Sequence, residues 1–209
     1  SWNRVPHGVS REYALDTTSI MVAGAFGGAI YIDVGSTPLN LGEVDVEIAG
    51  AIEAPVFIFN TTTDAEWMSS LRDLPGPQAE FVTDGVAWSV PSSFIRLLDN
   101  PSDVMALWQE AVAYMDYVGS YESLRTNPER INVDVQISAG LLHAGYPIQG
   151  PSSYGVPFDY DGLLLEGDWG YMHELGHEMQ RRPDKAWGWD SPWTFSGDVE
   201  VTVNIFANA

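Results

Sequence analysis

The sequence contains no cysteine, a single lysine (Lys185) and no apolar run approaching the roughly 18 residues of a membrane span. The missing thiols exclude disulfides, thiolate zinc sites and cysteine nucleophiles together, so any metal must be held by His, Asp or Glu. The missing apolar run argues against direct membrane insertion. The chain also opens without the charged start, apolar stretch and cleavage site of a signal segment. Positive charge is scarce: 9 basic residues against 29 acidic ones leave a formal net charge of −20. Such a surface repels phosphate backbones and anionic lipid, so nucleic acid is not an expected partner, and it suits solvation outside the cell.

What remains is apolar and aromatic. With 209 residues, 45% hydrophobic, and 8 Trp, 9 Tyr and 8 Phe, the chain can bury a core and is too apolar to stay disordered. It begins at Ser1 and stops abruptly after Val203-Asn204-Ile205-Phe206, which reads as a processed or truncated piece of something longer. Residues 1–17 are expected to be an arm or linker, and 18–209 one domain.

The texture changes along that domain. Residues 18–60 carry short β-like runs: Ile20 to Ala23, Gly28 to Val34, the alternating Val44 to Ile48, and Pro55 to Phe59. They predict a β-rich part. Residues 61–209 read as mixed. Thr63 and Glu66 fit a capping box, Glu80 to Val82 and Val86 to Val90 fit strands, and Ser102 is placed to cap a helix with Val104, Leu107, Trp108, Ala111, Met115 and Val118 on one face. Ile131, Val133, Val135 and Ile137 alternate as a further strand, and Gly140 to Gly170 reads as a long loop. The expected fold class is α+β, with an N-terminal β-rich portion packed on a mixed portion whose helices come last; the motif in the last of them makes that portion one of zincin type, with Met172-His173-Glu174-Leu175-Gly176-His177 on a helix near the C-terminus.

Met172-His173-Glu174-Leu175-Gly176-His177 holds the pattern H-E-x-x-H. Two histidines four apart share one helix face and can grip one zinc ion, while Glu174 projects beside the metal and can take a proton from the attacking water. With four histidines and thirteen glutamates in the chain, shuffling would produce the pattern in fewer than about one sequence in a hundred. Gly176 within the helix costs about 1 kcal/mol relative to Ala, which predicts that something packs close there.

Zinc needs a third protein ligand. No histidine follows His177, so a carboxylate must supply it, from Glu178, Asp184, Asp190, Asp198 or Glu200. Glu178 points about 100° away from His177, and Glu200 is better placed, with residues 178–199 as the intervening loop. Val199, Val201, Val203 and Ile205 alternate like a strand, yet Glu200 and Asn204 would also share a face in a helix; the residues leave both open.

These residues resemble the enhancin-like zinc metallopeptidases of peptidase family M60, whose signature places a glutamate some way after H-E-x-x-H. His173, Glu174, His177 and Glu200 match it, and Gln180, Trp187, Trp193-Thr194-Phe195 and Val201 to Asn204 are similar to the family's run through its site. Weaker likeness extends upstream through Phe26 to Ile32, Ala54-Pro55, Glu66-Trp67, Ala79-Glu80, Val90-Pro91-Ser92 and His143 to Ile148, and covers about residues 18–208. Glu178 departs from the pattern by adding negative charge beside a ligand, and the chain ends before the further helical portion that members carry.

The resemblance implies a secreted or cell-surface endopeptidase with one Zn2+ held by His173, His177 and Glu200. Its substrate would be a mucin-like or other O-glycosylated protein, and carbohydrate-binding domains elsewhere in a longer chain would fit that role. His143 and Tyr146 could meet substrate or stabilise an oxyanion. Trp187 and Trp193 could stack on sugar rings, and Asn204 would face the same space. A non-catalytic glycoprotein- or partner-binding module with a structural or vestigial metal site is the alternative.

Overall fold

The computed structural model describes residues 10–25, 27–34, 42–180 and 198–208. Two compact units divide the chain, one of them Val9–Ile52 and the other containing Glu53–Ala209.

In the first unit none of the described residues lies in a strand, which corrects the β-rich reading of residues 18–60 everywhere but at its end. Val44, Val46 and Ile48 alternate as expected, but they are 80%, 52% and 51% exposed. Alternation stabilises a strand only when a neighbouring strand takes its backbone groups and a core takes its apolar side. Within the unit the Tyr13 hydroxyl donates to the Ala23 carbonyl at 2.7 Å, and the Arg11 guanidinium sits over the Tyr13 ring.

The second unit is built on a five-stranded sheet in the order β1-β2-β3-β4-β5. Its strands are β1 Val56–Ile58, β2 Gln78–Val82, β3 Val86–Pro91, β4 Glu129–Asp134 and β5 Ile148–Pro151. Only β2 and β3 pair antiparallel, joined by a tight turn; the other three pairings are parallel. Parallel neighbours need crossovers. Two of these crossovers carry helices: α1 (Asp64–Glu66, continued by a wider turn through Leu71) lies between β1 and β2, and α2 (Pro101–Gly119) between β3 and β4. Strands and helices are therefore interleaved in a mixed α/β layer arrangement, not set out as a sheet followed by helices.

The local signals account for most of these elements. Thr63 Oγ1 accepts from the Glu66 amide at 3.1 Å, as the capping box requires. Ser102 does not cap α2, because Pro101 already occupies the first helical turn. The Ser102 amide donates instead to Asp64 Oδ1 at 3.0 Å, and its hydroxyl bonds the same carboxylate, so α1 caps α2. Between Gly140 and Gly170 the expected loop contains β5 and a short helix, α3 (Tyr160–Glu166). β5 is buried at Ile148, Gln149 and Gly150 alike, so it shows no alternation to read.

The core is aromatic. Phe57, Phe81 and Trp67 meet beside Phe158, and Trp88 of β3 packs on Trp108 of α2 with ring centroids 4.8 Å apart. Tyr171, buried and so not a substrate-facing residue, stands edge-on to Trp88 at 4.8 Å. It docks helix α4 (Trp169–Gln180) on the sheet, together with buried Leu175 and Met179 one and two turns further along.

Candidate metal centre

Helix α4 carries the H-E-x-x-H residues. Asp168 opens it, its Oδ1 accepting from the Tyr171 amide at 2.9 Å. The core stripe of Tyr171, Leu175 and Met179 sets the rotation of the helix. At 100° per residue, His173 and His177 then fall on the opposite side, where α5 (Val199–Thr202) and α6 (Asn204–Ala207) cover them. Glu200 is thus helical, which settles the open choice between helix and strand.

Three donor atoms converge there. His173 Nε2 lies 3.0 Å from Glu200 Oε2, His177 Nε2 lies 3.3 Å from the same oxygen, and the two imidazole nitrogens are 3.1 Å apart. Among the described residues this is the cluster of metal-ligating side chains. A tetrahedral ion with bonds of about 2.0–2.1 Å spaces its ligand atoms about 3.3 Å apart, so the donor set fits zinc in both chemistry and spread. The histidine side chains are 11% and 14% exposed and that of Glu200 is 73% exposed.

Gly176 explains how α5 and α6 come so close. A Cβ built there would stand 2.8 Å from Val203 Cγ2 and 2.9 Å from the Val203 carbonyl oxygen. The expected close neighbour of this glycine is therefore the backbone at the junction of α5 and α6.

The surrounding contacts are unequal for the two histidines. His177 Nδ1 is 2.8 Å from Gln180 Oε1. Among the described residues the buried His173 Nδ1 has no hydrogen-bond partner; its ring is held by Trp169, with centroids 4.6 Å apart, and by the edge of His177 at 4.7 Å. Trp169 in turn donates from Nε1 to Asn204 Oδ1 at 3.2 Å, which ties α4 to α6. Asn204 therefore stands beside the cluster through Trp169.

Glu174 is partly buried, and burial raises its pKa above the ordinary carboxylate value. His177, His173 and a hydrogen bond from the Ala144 backbone pull the other way, and Glu200 adds to the rise. Glu178 Oε1 accepts from the Gly145 amide at 2.7 Å. Two glutamates one turn apart on α4 thus hold two consecutive backbone positions of one loop, and Glu178 is turned to that loop.

The other anticipated substrate residues separate. His143 Nδ1 donates to the Ala144 carbonyl at 2.9 Å and its Nε2 accepts from Ser138 at 2.7 Å. The Tyr146 hydroxyl donates to the Pro128 carbonyl at 3.3 Å, within the loop that Glu178 holds. Trp187 and Trp193 lie outside the described residues, as do Asp184 and Asp190. Gln180, given above only as part of the resemblance, and Trp169 contact the two histidines; the signal for both was position, three residues after one ligand and four before the other, hence on the same helix face.

Comparison with known proteins shows the family and the fold. The model of the family described as peptidase M60, enhancin and enhancin-like, matches residues 50–209. The chain belongs to that family. A TRPM8 channel-associated factor homolog of Xenopus laevis is 34% identical over 200 residues, which is 95% of this chain and 21% of that protein. The chain thus spans about a fifth of the length of the curated relatives it matches. Among solved structures, a metallopeptidase from Bacteroides thetaiotaomicron superposes with a TM-score of 0.58 at 15% identity, over 73% of this chain and 26% of that one. A metallopeptidase in complex with Tn antigen superposes with a TM-score of 0.60 at 15% identity, over 73% and 28%. The M60 fold is shared with both.

Proposed function

We propose that this M60 chain is a zinc-dependent endopeptidase acting on O-glycosylated, mucin-like proteins at the cell surface or outside the cell. The observation that carries the reading is the convergence of His173 Nε2, His177 Nε2 and Glu200 Oε2 within 3.0–3.3 Å of one another. Those three residues would hold the ion. Zinc in such a site supplies Lewis acidity, polarising a scissile carbonyl and acidifying water. Glu174, its pKa raised by burial, accepts a proton at its carboxylate from the attacking water and returns it to the leaving amine. The Ala144 backbone orients that carboxylate. The glycoprotein substrate class draws support from the family and from the solved metallopeptidase that carries Tn antigen. Among the described residues no helix is long and apolar enough to cross a membrane.

The Glu174→Gln variant tests the chemistry. It should keep stoichiometric zinc and lose cleavage of an O-glycosylated mucin by a factor of about 10²–10⁴; cleavage at the parental rate would reject the mechanism. The relatives' name, channel-associated factor, favours a second reading in which the fold binds a partner without catalysis. A parent protein that takes up one zinc and cleaves no glycoprotein or peptide would establish that reading.

A further inference from the structure

We infer that Gln180 is a positioning residue of the metal centre: it fixes the tautomer of His177 so that Nε2 presents a lone pair, and it ties that imidazole to the helix bearing Glu200. The deduction starts from a group with only one hydrogen-bonding role. The Val199 carbonyl oxygen can only accept, and it lies 2.8 Å from Gln180 Nε2. The second hydrogen of that amide goes to Thr202 Oγ1 at 2.7 Å, whose own hydrogen is directed to the Asp198 carbonyl at 3.2 Å. With both amide hydrogens used, Gln180 Oε1 is the atom facing His177 Nδ1 at 2.8 Å. An amide oxygen has no hydrogen to give, so Nδ1 carries the proton, and in the neutral ring Nε2 is left with its lone pair.

That lone pair points at the Glu200 carboxylate oxygen, 3.3 Å away. Two acceptors held at this distance repel each other until a cation lies between them. Gln180 is 2% exposed and Thr202 6% exposed, so bulk water does not compete for these bonds. Through the same amide, movement of the Glu200 helix is felt at the His177 ring. His173 differs: among the described residues its buried Nδ1 has no acceptor, and the rings of Trp169 and His177 flank it. The site is thus locked on one side by hydrogen bonds and on the other by packing.

The proposal rests on His177 being a zinc ligand, and its first test needs no zinc. In the intact, metal-free protein labelled with 15N-histidine, at a pH where the ring is neutral, His177 should show the Nδ1–H pattern. An Nε2–H pattern overturns the proposal even if zinc binds. Gln180→Met, similar in length and without polar hydrogens, should give a mixture of tautomers. In competition with a chelator it should weaken zinc binding about 10–100-fold. Zinc affinity within about twofold of the parent overturns the proposal, as does a fall in affinity with the tautomer unchanged. Thr202→Val keeps the Val199 bond and should leave the tautomer as it is. If the parent itself takes up no zinc, the metal reading fails, and the 15N pattern still decides what Gln180 does to His177.

Discussion

Asp168 shows how a single side chain near the centre is placed under opposing demands. It caps α4 by accepting from the Tyr171 amide and also meets the Tyr154 hydroxyl at 3.3 Å. Burial raises its pKa, while the hydrogen bonds from Tyr171, Tyr154 and Gly170 lower it without cancelling the rise. A carboxyl whose folded pKa exceeds its unfolded value holds its proton more tightly in the folded chain. Stability is then lost as pH climbs through that interval, and the penalty is absent below the unfolded pKa. Asp168→Asn keeps an acceptor for the cap and removes the buried charge. Its melting temperature should exceed the parent's at neutral pH, with the gap closing as pH falls into the ordinary carboxylate range. A constant gap at every pH would mean that the charge is not the cause. The pattern of His173, Glu174 and His177 was legible because it depends on spacing within one helix. The roles of Gln180, Trp169 and Ala144 were not, because they depend on what other segments bring to that helix.

At the level of elements, the junction of α4 with α5 and α6 decides whether there is a site at all. Gly176→Ala gains about 1 kcal/mol of helix propensity but sets a methyl against the Val203 carbonyl, which cannot rotate away; such overpacking costs about 1–3 kcal/mol. We expect net destabilisation together with weaker zinc binding, because Glu200 is displaced with its helix. A melting temperature at or above the parent's with zinc affinity unchanged would show that the helices can part freely. Gly176 was readable as a close-approach position, since a glycine inside a helix has a cost that calls for a reason. The partner was not readable, because residues 181–198 separate the two helices in the chain. Other elements misled for definable reasons. Val44 to Ile48 has a strand's alternation and, among the described residues, no strand paired with it, whereas β5 has a strand's pairing and no alternation, being buried at Ile148, Gln149 and Gly150 alike. Gly150 is part of the same logic: a Cβ there would overlap the Tyr171 hydroxyl, so the β5 backbone abuts the tyrosine that orients α4.

For the molecule as a whole, Arg125 joins three elements. It pairs with Asp116 near the end of α2 at 2.6 Å and with Glu129 at the start of β4 at 2.8 Å, and Nη2 touches the sulfur of Met179 on α4 at 3.4 Å. All three charged side chains are at most 14% exposed. Burial works against the guanidinium's charge, but its hydrogen bonds to both carboxylates outweigh it and hold the pKa above the ordinary value. Arg125→Leu leaves two carboxylates buried without their cation and should cost about 3–5 kcal/mol, read as a lower denaturation midpoint; a loss below about 1 kcal/mol would show the carboxylates find water instead. Charge of this kind is interior architecture, unlike the solvated carboxylates behind most of the net −20. That acidity attracts cations without discrimination, so discrimination must come from geometry. The approach allowed by Gly176 holds the three donors at a spread suited to a small ion. In the proposed zinc site two of the three donors are imidazole nitrogens, which suit zinc and not the oxygen-seeking calcium. A missing side chain at Gly176 lets the helix of Glu200 come within reach of them, so an absence in one helix completes the donor set of another.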